Sequence, residues 1–103
     1  MSREALEVFA KLCVLDPDSA HSHFVLGRAQ YQEKEFAAAL ASFDKCLAID
    51  PQYLIAILLS AQAHEQLGRV EMARSLYEQG VKKSALLGDE KFGQQFHALL
   101  STL

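Results

Sequence analysis

The sequence has no tryptophan and no asparagine, and only two prolines, two cysteines and five glycines in 103 residues. So few turn-forming residues exclude a many-stranded β fold, which needs tight turns at regular intervals. Two cysteines cannot build a disulfide framework. Net charge is small as well: 10 lysines and arginines against 13 aspartates and glutamates leave −3. That balance provides no basic field for nucleic acid, and Lys82-Lys83 is the one basic doublet. The longest apolar run, Leu54 through Leu59, is about a third of what a membrane span requires. Arg3, Glu4, Glu7 and Lys11 are spread through residues 1–15, where a secretory signal would need an apolar core. What remains is half hydrophobic and weakly charged, a composition that folds. The expectation is one all-α domain in the cytoplasm, where Cys13 and Cys46 stay as free thiols.

Helical periodicity supplies the positive signal. Over 36–49, Phe36, Ala39, Leu40, Phe43, Cys46 and Leu47 fall at i, i+3, i+4, i+7, i+10 and i+11, one stripe of a 3.6-residue helix. Val70, Ala73, Leu76, Tyr77, Gly80 and Val81 repeat it over 70–84, and Ala5, Phe9 and Leu12 do so over 3–15. Further helices are predicted over 20–33, 54–67 and 89–102, about six in all. Asp16-Pro17 and Asp50-Pro51 stop helices, since proline lacks an N–H and biases the residue before it away from helical angles. Gly68 and Gly88 suit the left-handed position after a helix, and Asp89 suits the cap of the last one. Lys34-Glu35 must turn without glycine, which puts Lys34 in the left-handed region at a cost of a fraction of a kcal/mol. Connections this short make neighbouring helices antiparallel.

The most informative feature is a recurrence. Pro17 and Pro51, each preceded by aspartate, stand 34 residues apart, and the same step relates Ala5, Ala39 and Ala73, then Phe9, Phe43 and Tyr77. Two helices per 34 residues, with a small residue four before an aromatic, resembles the tetratricopeptide repeat. Against the pattern Trp-x2-Leu-Gly-x2-Tyr, Ala-x3-Phe, Pro, residues 20–53 read His23, Leu26, Gly27, Gln30, Ala39, Phe43, Pro51. Residues 54–87 read Ile57, Ser60, Ala61, His64, Ala73, Tyr77, with Ala85 in the proline position. The resemblance implies a right-handed helical solenoid: a half-repeat over 1–17, repeats over 20–53 and 54–87, and a capping helix over 89–103. In that last helix the packing positions fit one residue later than the strict step.

Chemistry has few places to stand. His21 and His23 diverge on a helix, His64 and His97 have no partner at i+4, and there is no His-Glu-x2-His or Cys-x2-Cys. The cysteines lie in apolar stripes with no adjacent base, and the carboxylates are scattered. No glycine-rich phosphate loop and no Gly-x-Ser-x-Gly occurs. Neither catalytic residues, nor a metal, nor a cofactor is expected, and the chain reads as non-enzymatic.

The resemblance instead points to a groove lined by the first helix of each pair. Its positions are His21, Phe24, Val25, Arg28 and Tyr31 in one repeat, and Ile55, Leu58, Leu59, Gln62 and Glu65 in the next. Phe24, Ile55 and Leu58 are the expected apolar anchors, Arg28 an anionic contact, and Tyr31 and Gln62 hydrogen-bonding groups. Without asparagine, and with Arg28 the one cation there, the carboxylate clamp of chaperone-associated members is not expected. A short helix or extended peptide with apolar side chains fits better. An adaptor or scaffold that binds a protein partner is therefore the primary expectation. The alternatives are a homodimer paired through Leu6 and Val8 of the first helix, and a fragment of a longer array. Met1-Ser2 is compatible with a natural or an engineered start.

Overall fold

Each of the stop signals ends a helix in the computed structural model, which describes residues 3–103; Met1 and Ser2 lie outside the described residues. The order is α1 (Arg3–Leu15), α2 (Ala20–Gln32), α3 (Phe36–Ile49), α4 (Leu54–Gln66), α5 (Val70–Leu87) and α6 (Glu90–Ser101). The described residues contain no strand. Ser19 caps α2 by accepting the Ser22 N–H at 3.2 Å, and Asp89 caps α6 by accepting that of Phe92 at 3.0 Å. Gly68 and Gly88 adopt φ 75° and 70°, and Lys34 adopts 62°, the left-handed geometry its glycine-free turn requires.

The expected helices over 20–33 and 54–67 are each trimmed by one residue at an end, that over 89–102 by one residue at both, and one boundary differs by more. α5 runs three residues past 84, to Leu87. The cause is Ala85: where Pro17 and Pro51 stop earlier helices, alanine lets this one continue until Gly88.

Consecutive helices pack in pairs down the chain, and α2 also touches α4, within 37 × 28 × 19 Å. In the pair α2 and α3 the second helix presses an aromatic onto a small residue of the first. A Cβ placed on Gly27 would lie 2.6 Å from the Phe43 ring, so only glycine admits this approach. The interior forms two clusters. One holds Phe24, Ala39, Phe43, Cys46 and Ala56; the other holds Leu54, Ile57, Leu58, Ala61, Ala73, Tyr77 and Phe96. Leu47, Ile55 and Leu59 pack against both and join them.

The residues that depart from the repeat pattern find other partners. His23, in the tryptophan position, donates from Nε2 to the Pro17 carbonyl at 2.8 Å and ties the first turn to α2. Gln30 accepts the Ser42 hydroxyl at 2.6 Å across α2 and α3. Lys83 donates to the Pro51 carbonyl at 2.6 Å, so half of the basic doublet serves the fold. On α1, Leu6 is buried while Val8 is exposed. The proposed pairing flank thus loses Leu6, which turns inward together with Cys13, whose thiol lies 3.4 Å from the Ser22 carbonyl.

Candidate functional site

The two helices that carry the expected binding residues, α2 and α4, lie in direct contact. Their residues sort along the shared surface by position in the helix. Near the N-terminal ends, His21 is exposed and its Nδ1 lies 3.0 Å from the Tyr53 hydroxyl. Tyr53 stacks on Phe24 with centroids 5.1 Å apart, and the Arg28 guanidinium lies over the Phe24 ring, 5.5 Å from its centroid. Ile55 and Leu59 follow, half-buried, and Gln62 beyond them is half-buried too. At the C-terminal ends, Glu65 accepts a hydrogen bond from the buried Tyr77 hydroxyl. Tyr31 stands nearby, edge-on to Phe36 at 5.2 Å, with its hydroxyl toward Gln66.

Two of the three expected anchors are not on the surface. Phe24 is 5% exposed and Leu58 3%, each inside one of the core clusters. Phe24 is roofed by Tyr53 and Arg28, and Leu58 is enclosed where α4 meets the aromatic residues Tyr77 and Phe96. Ile55 is the anchor that keeps accessible surface, and Leu59 joins it. Apolar positions on a helix surrounded by neighbours carry no periodic mark of which side faces out, so the sequence reading assigned both sides to the groove. It also missed Tyr53, Gln66 and the bond of Tyr77 to Glu65, whose roles come from contacts between separate helices. Pro51 gave the only hint for Tyr53, by ending α3 just before it.

Displaced titrations have packing causes. Burial pushes the Cys46 thiol up to about 11, with Asp50 adding to it, and burial also raises Cys13. Tyr31 and Tyr77 rise for the same first reason, Tyr77 further through its bond to Glu65. Among the described residues no group of three or more His, Cys, Asp or Glu side chains is placed to hold a metal ion. No helix there is long and apolar enough to cross a membrane.

His64 occupies the tyrosine position of the second repeat, buried, with Nδ1 unpartnered. Burial lowers its pKa below the ordinary 6.5, Arg69 lowers it further, and Asp44 opposes. The unfolded chain therefore binds the proton more readily than the fold does. This contribution to stability is complete above pH 6.5 and is lost as pH falls below it. Urea titrations at about pH 7.5 and about pH 5 should show a drop in stability that shrinks in His64→Leu. An equal drop in both proteins would remove His64 as its source.

Comparison with known proteins adds three findings. Two family models described as Tetratricopeptide repeat match residues 31–86 and 2–53. The TPR repeat-containing protein PA0015 of Pseudomonas aeruginosa is 26% identical over 98 residues, spanning 95% of this chain and 93% of that protein. Among solved structures, PcrH in complex with the chaperone binding region of PopD superposes with TM-score 0.91 at 24% identity, over 97% of this chain and 76% of that one. A T3SS complex from Aeromonas hydrophila gives 0.90 at 25% identity over 97% and 67%. The TPR2B-domain:pHsp70 complex of yeast Sti1 gives 0.88 at 18% over 94% and 78%.

Proposed function

From the premise that the chain belongs to the tetratricopeptide repeat family, we propose that it is a non-enzymatic interaction module holding a peptide or short helix of a protein partner on the concave side lined by α2 and α4. The observation that carries this reading is the partly buried apolar pair Ile55 and Leu59, which keeps some surface and is bordered by hydrogen-bonding and charged groups at both ends. Two apolar side chains of a partner, one turn apart, would cover that pair. Arg28 then meets an acidic or carbonyl group, while Gln62, Tyr31 and Glu65 meet partner N–H or hydroxyl groups. The structures of PcrH with a PopD region and of TPR2B with pHsp70 support a peptide-binding use of this scaffold. The non-enzymatic part is supported by the displaced groups Cys46, His64 and Tyr77, which are buried in the interior. A cytoplasmic adaptor is the setting that the two free thiols fit.

The test is position-specific crosslinking in cells. A photoreactive residue at Gln62 should yield discrete protein adducts that the same residue at the exposed Glu78 of α5 does not. Ile55→Asp should weaken those adducts about tenfold, and because Ile55 also packs against both core clusters, circular dichroism is read beside it to show that the variant is folded. Identical adducts from both positions, or indifference to Ile55→Asp, would place the partner elsewhere.

A further inference from the structure

Among the described residues, α2 packs between α1 and α3, and α4 between α3 and α5, so each of these first helices has a second helix on either side. α6 packs chiefly on α5 and reaches the α4 cluster through Phe96, with no second helix on its far side among the described residues. The second helices show the matching deficit: α3 and α5 each touch two first helices, whereas α1 packs chiefly on α2, with Arg3 paired to Glu35 at the cap of α3, and has no first helix before it among the described residues. One end of the molecule thus offers a second helix without its first, and the other a first helix without its second.

The surfaces bear this out residue by residue. On α3, Ala39, Ser42, Phe43 and Cys46 are all buried, and Phe43 and Ser42 lie against Gly27 of the first helix of that unit. One 34-residue step earlier, α1 has Ala5, Val8, Phe9 and Leu12 in those places, and there Val8 is 55% and Leu12 43% exposed. At the far end, α5 and α6 border an open cleft of about 480 Å³ whose α6 wall is the stripe Glu90, Gly93, Gln94 and His97. Ser84 lines it from α5, its buried hydroxyl unpartnered.

We infer that the missing neighbour of each end is the opposite end of a second copy: α1 of one chain seats in the cleft beside α6 of the next, completing a repeat at the junction. Charge agrees with the register. Lys45 of α3 lines, with His23, a cleft beside the N-terminal half of α2. One step earlier is Lys11, which the same seat brings to the N-terminal half of α6, where the charged residues of the cleft are Asp89 and Glu90. Apolar ends also meet. Second helices run parallel, so the exposed Val14 and Leu15 arrive beside the exposed Leu86 and Leu87. The two faces are different surfaces, so the contact is heterologous and extends into chains rather than closing at two. A single helix seat is smaller than the roughly 1,600 Å² of a standard interface, so association is concentration-dependent.

Sedimentation velocity on the 103-residue chain between about 10 μM and about 1 mM should show the mean mass climbing past that of a dimer. Val8→Glu with Leu12→Glu blocks the α1 end at exposed positions. Gly93→Arg blocks the cleft; its Cβ would stand 3.6 Å from that of Ser84, an ordinary contact. Each variant alone should weaken self-association at least about tenfold. Mixed in equal amounts they should form a one-to-one pair and nothing larger, because each keeps one intact end. Circular dichroism reports whether the variants fold, and Gln94→Arg on the same wall replaces Gly93→Arg if that one does not. A wild-type chain still monomeric at the highest concentration would overturn the inference. So would a cleft variant that dimerises alone, the mark of symmetric pairing through α1, or a mixture that stays monomeric.

Discussion

A chain carrying glutamate at both Phe24 and Leu58 is expected not to fold. Phe24 is enclosed by Tyr53 at 5.1 Å, Phe43 at 6.0 Å and the Arg28 guanidinium above the ring. Leu58 lies in the cluster with Ile57, Ala61, Tyr77 and Phe96. Each substitution loses the burial of a large apolar side chain, about 2 kcal/mol. Each also strands a carboxylate in the interior, at a cost of roughly 3 kcal/mol or more. The sum approaches 10 kcal/mol, against a total stability of about 5–15 kcal/mol for a domain of this size. Arg28 can offset part of the charge at position 24, but nothing comparable adjoins Leu58. Thermal scans by circular dichroism should show no cooperative transition; a melt within a few degrees of the wild type would mean that both sites open to solvent. Loss of partner binding in this variant therefore reports unfolding, and Ile55→Asp is the substitution that probes the surface itself.

Gly80→Leu should destabilise the fold by about 3 kcal/mol and lower Tm by roughly 12–20 °C. A Cβ at Gly80 would lie 2.4 Å from the Phe96 ring. That ring cannot swing aside, because Phe96 is wholly buried between Tyr77 at 6.5 Å and Phe92 at 6.0 Å. The better helix propensity of leucine returns about 1 kcal/mol, too little to offset a displaced α6. Phe96→Ala alone should cost about 3–4 kcal/mol by opening a cavity. Together the two changes should cost at least about 1 kcal/mol less than their sum, since each relieves the defect of the other. Strict additivity in denaturant titrations would show that the ring and the glycine do not share a contact.

Gly80 on one side, and Phe24 and Leu58 on the other, mark where sequence reading works and where it stops. Gly80 belongs to a stripe at helical spacing, and the 34-residue step sets it beside Cys46, so its need for smallness was legible. Helix ends were legible for the same local reasons: Pro17, Pro51, Gly68, Gly88 and the Asp89 cap each act within a few residues. The α5 boundary moved because the absence of a proline at Ala85 is a weaker signal than its presence. Phe24 and Leu58 could not be sorted from Ile55 and Leu59 by pattern. All four are apolar, and only the positions of α3, α5 and Tyr53 in space decide which are covered. The bonds His21 to Tyr53 and Tyr77 to Glu65 join separate helices, and neither sequence neighbourhood announces them.

The packing of each helix on the helices next to it in the chain has a kinetic consequence. Almost every close approach is made by a short loop, so little chain entropy is lost before contacts form, and folding belongs to the fast regime of locally connected helical proteins. Leu47, Ile55 and Leu59 join the two clusters at the α3–α4 junction, which makes the middle of the molecule the natural nucleus. Opening then runs inward from the ends, because α1 and α6 each pack chiefly on one neighbour. Their amides lose protection from hydrogen exchange at free energies below that of the whole, while those of α3 and α4 wait for global unfolding.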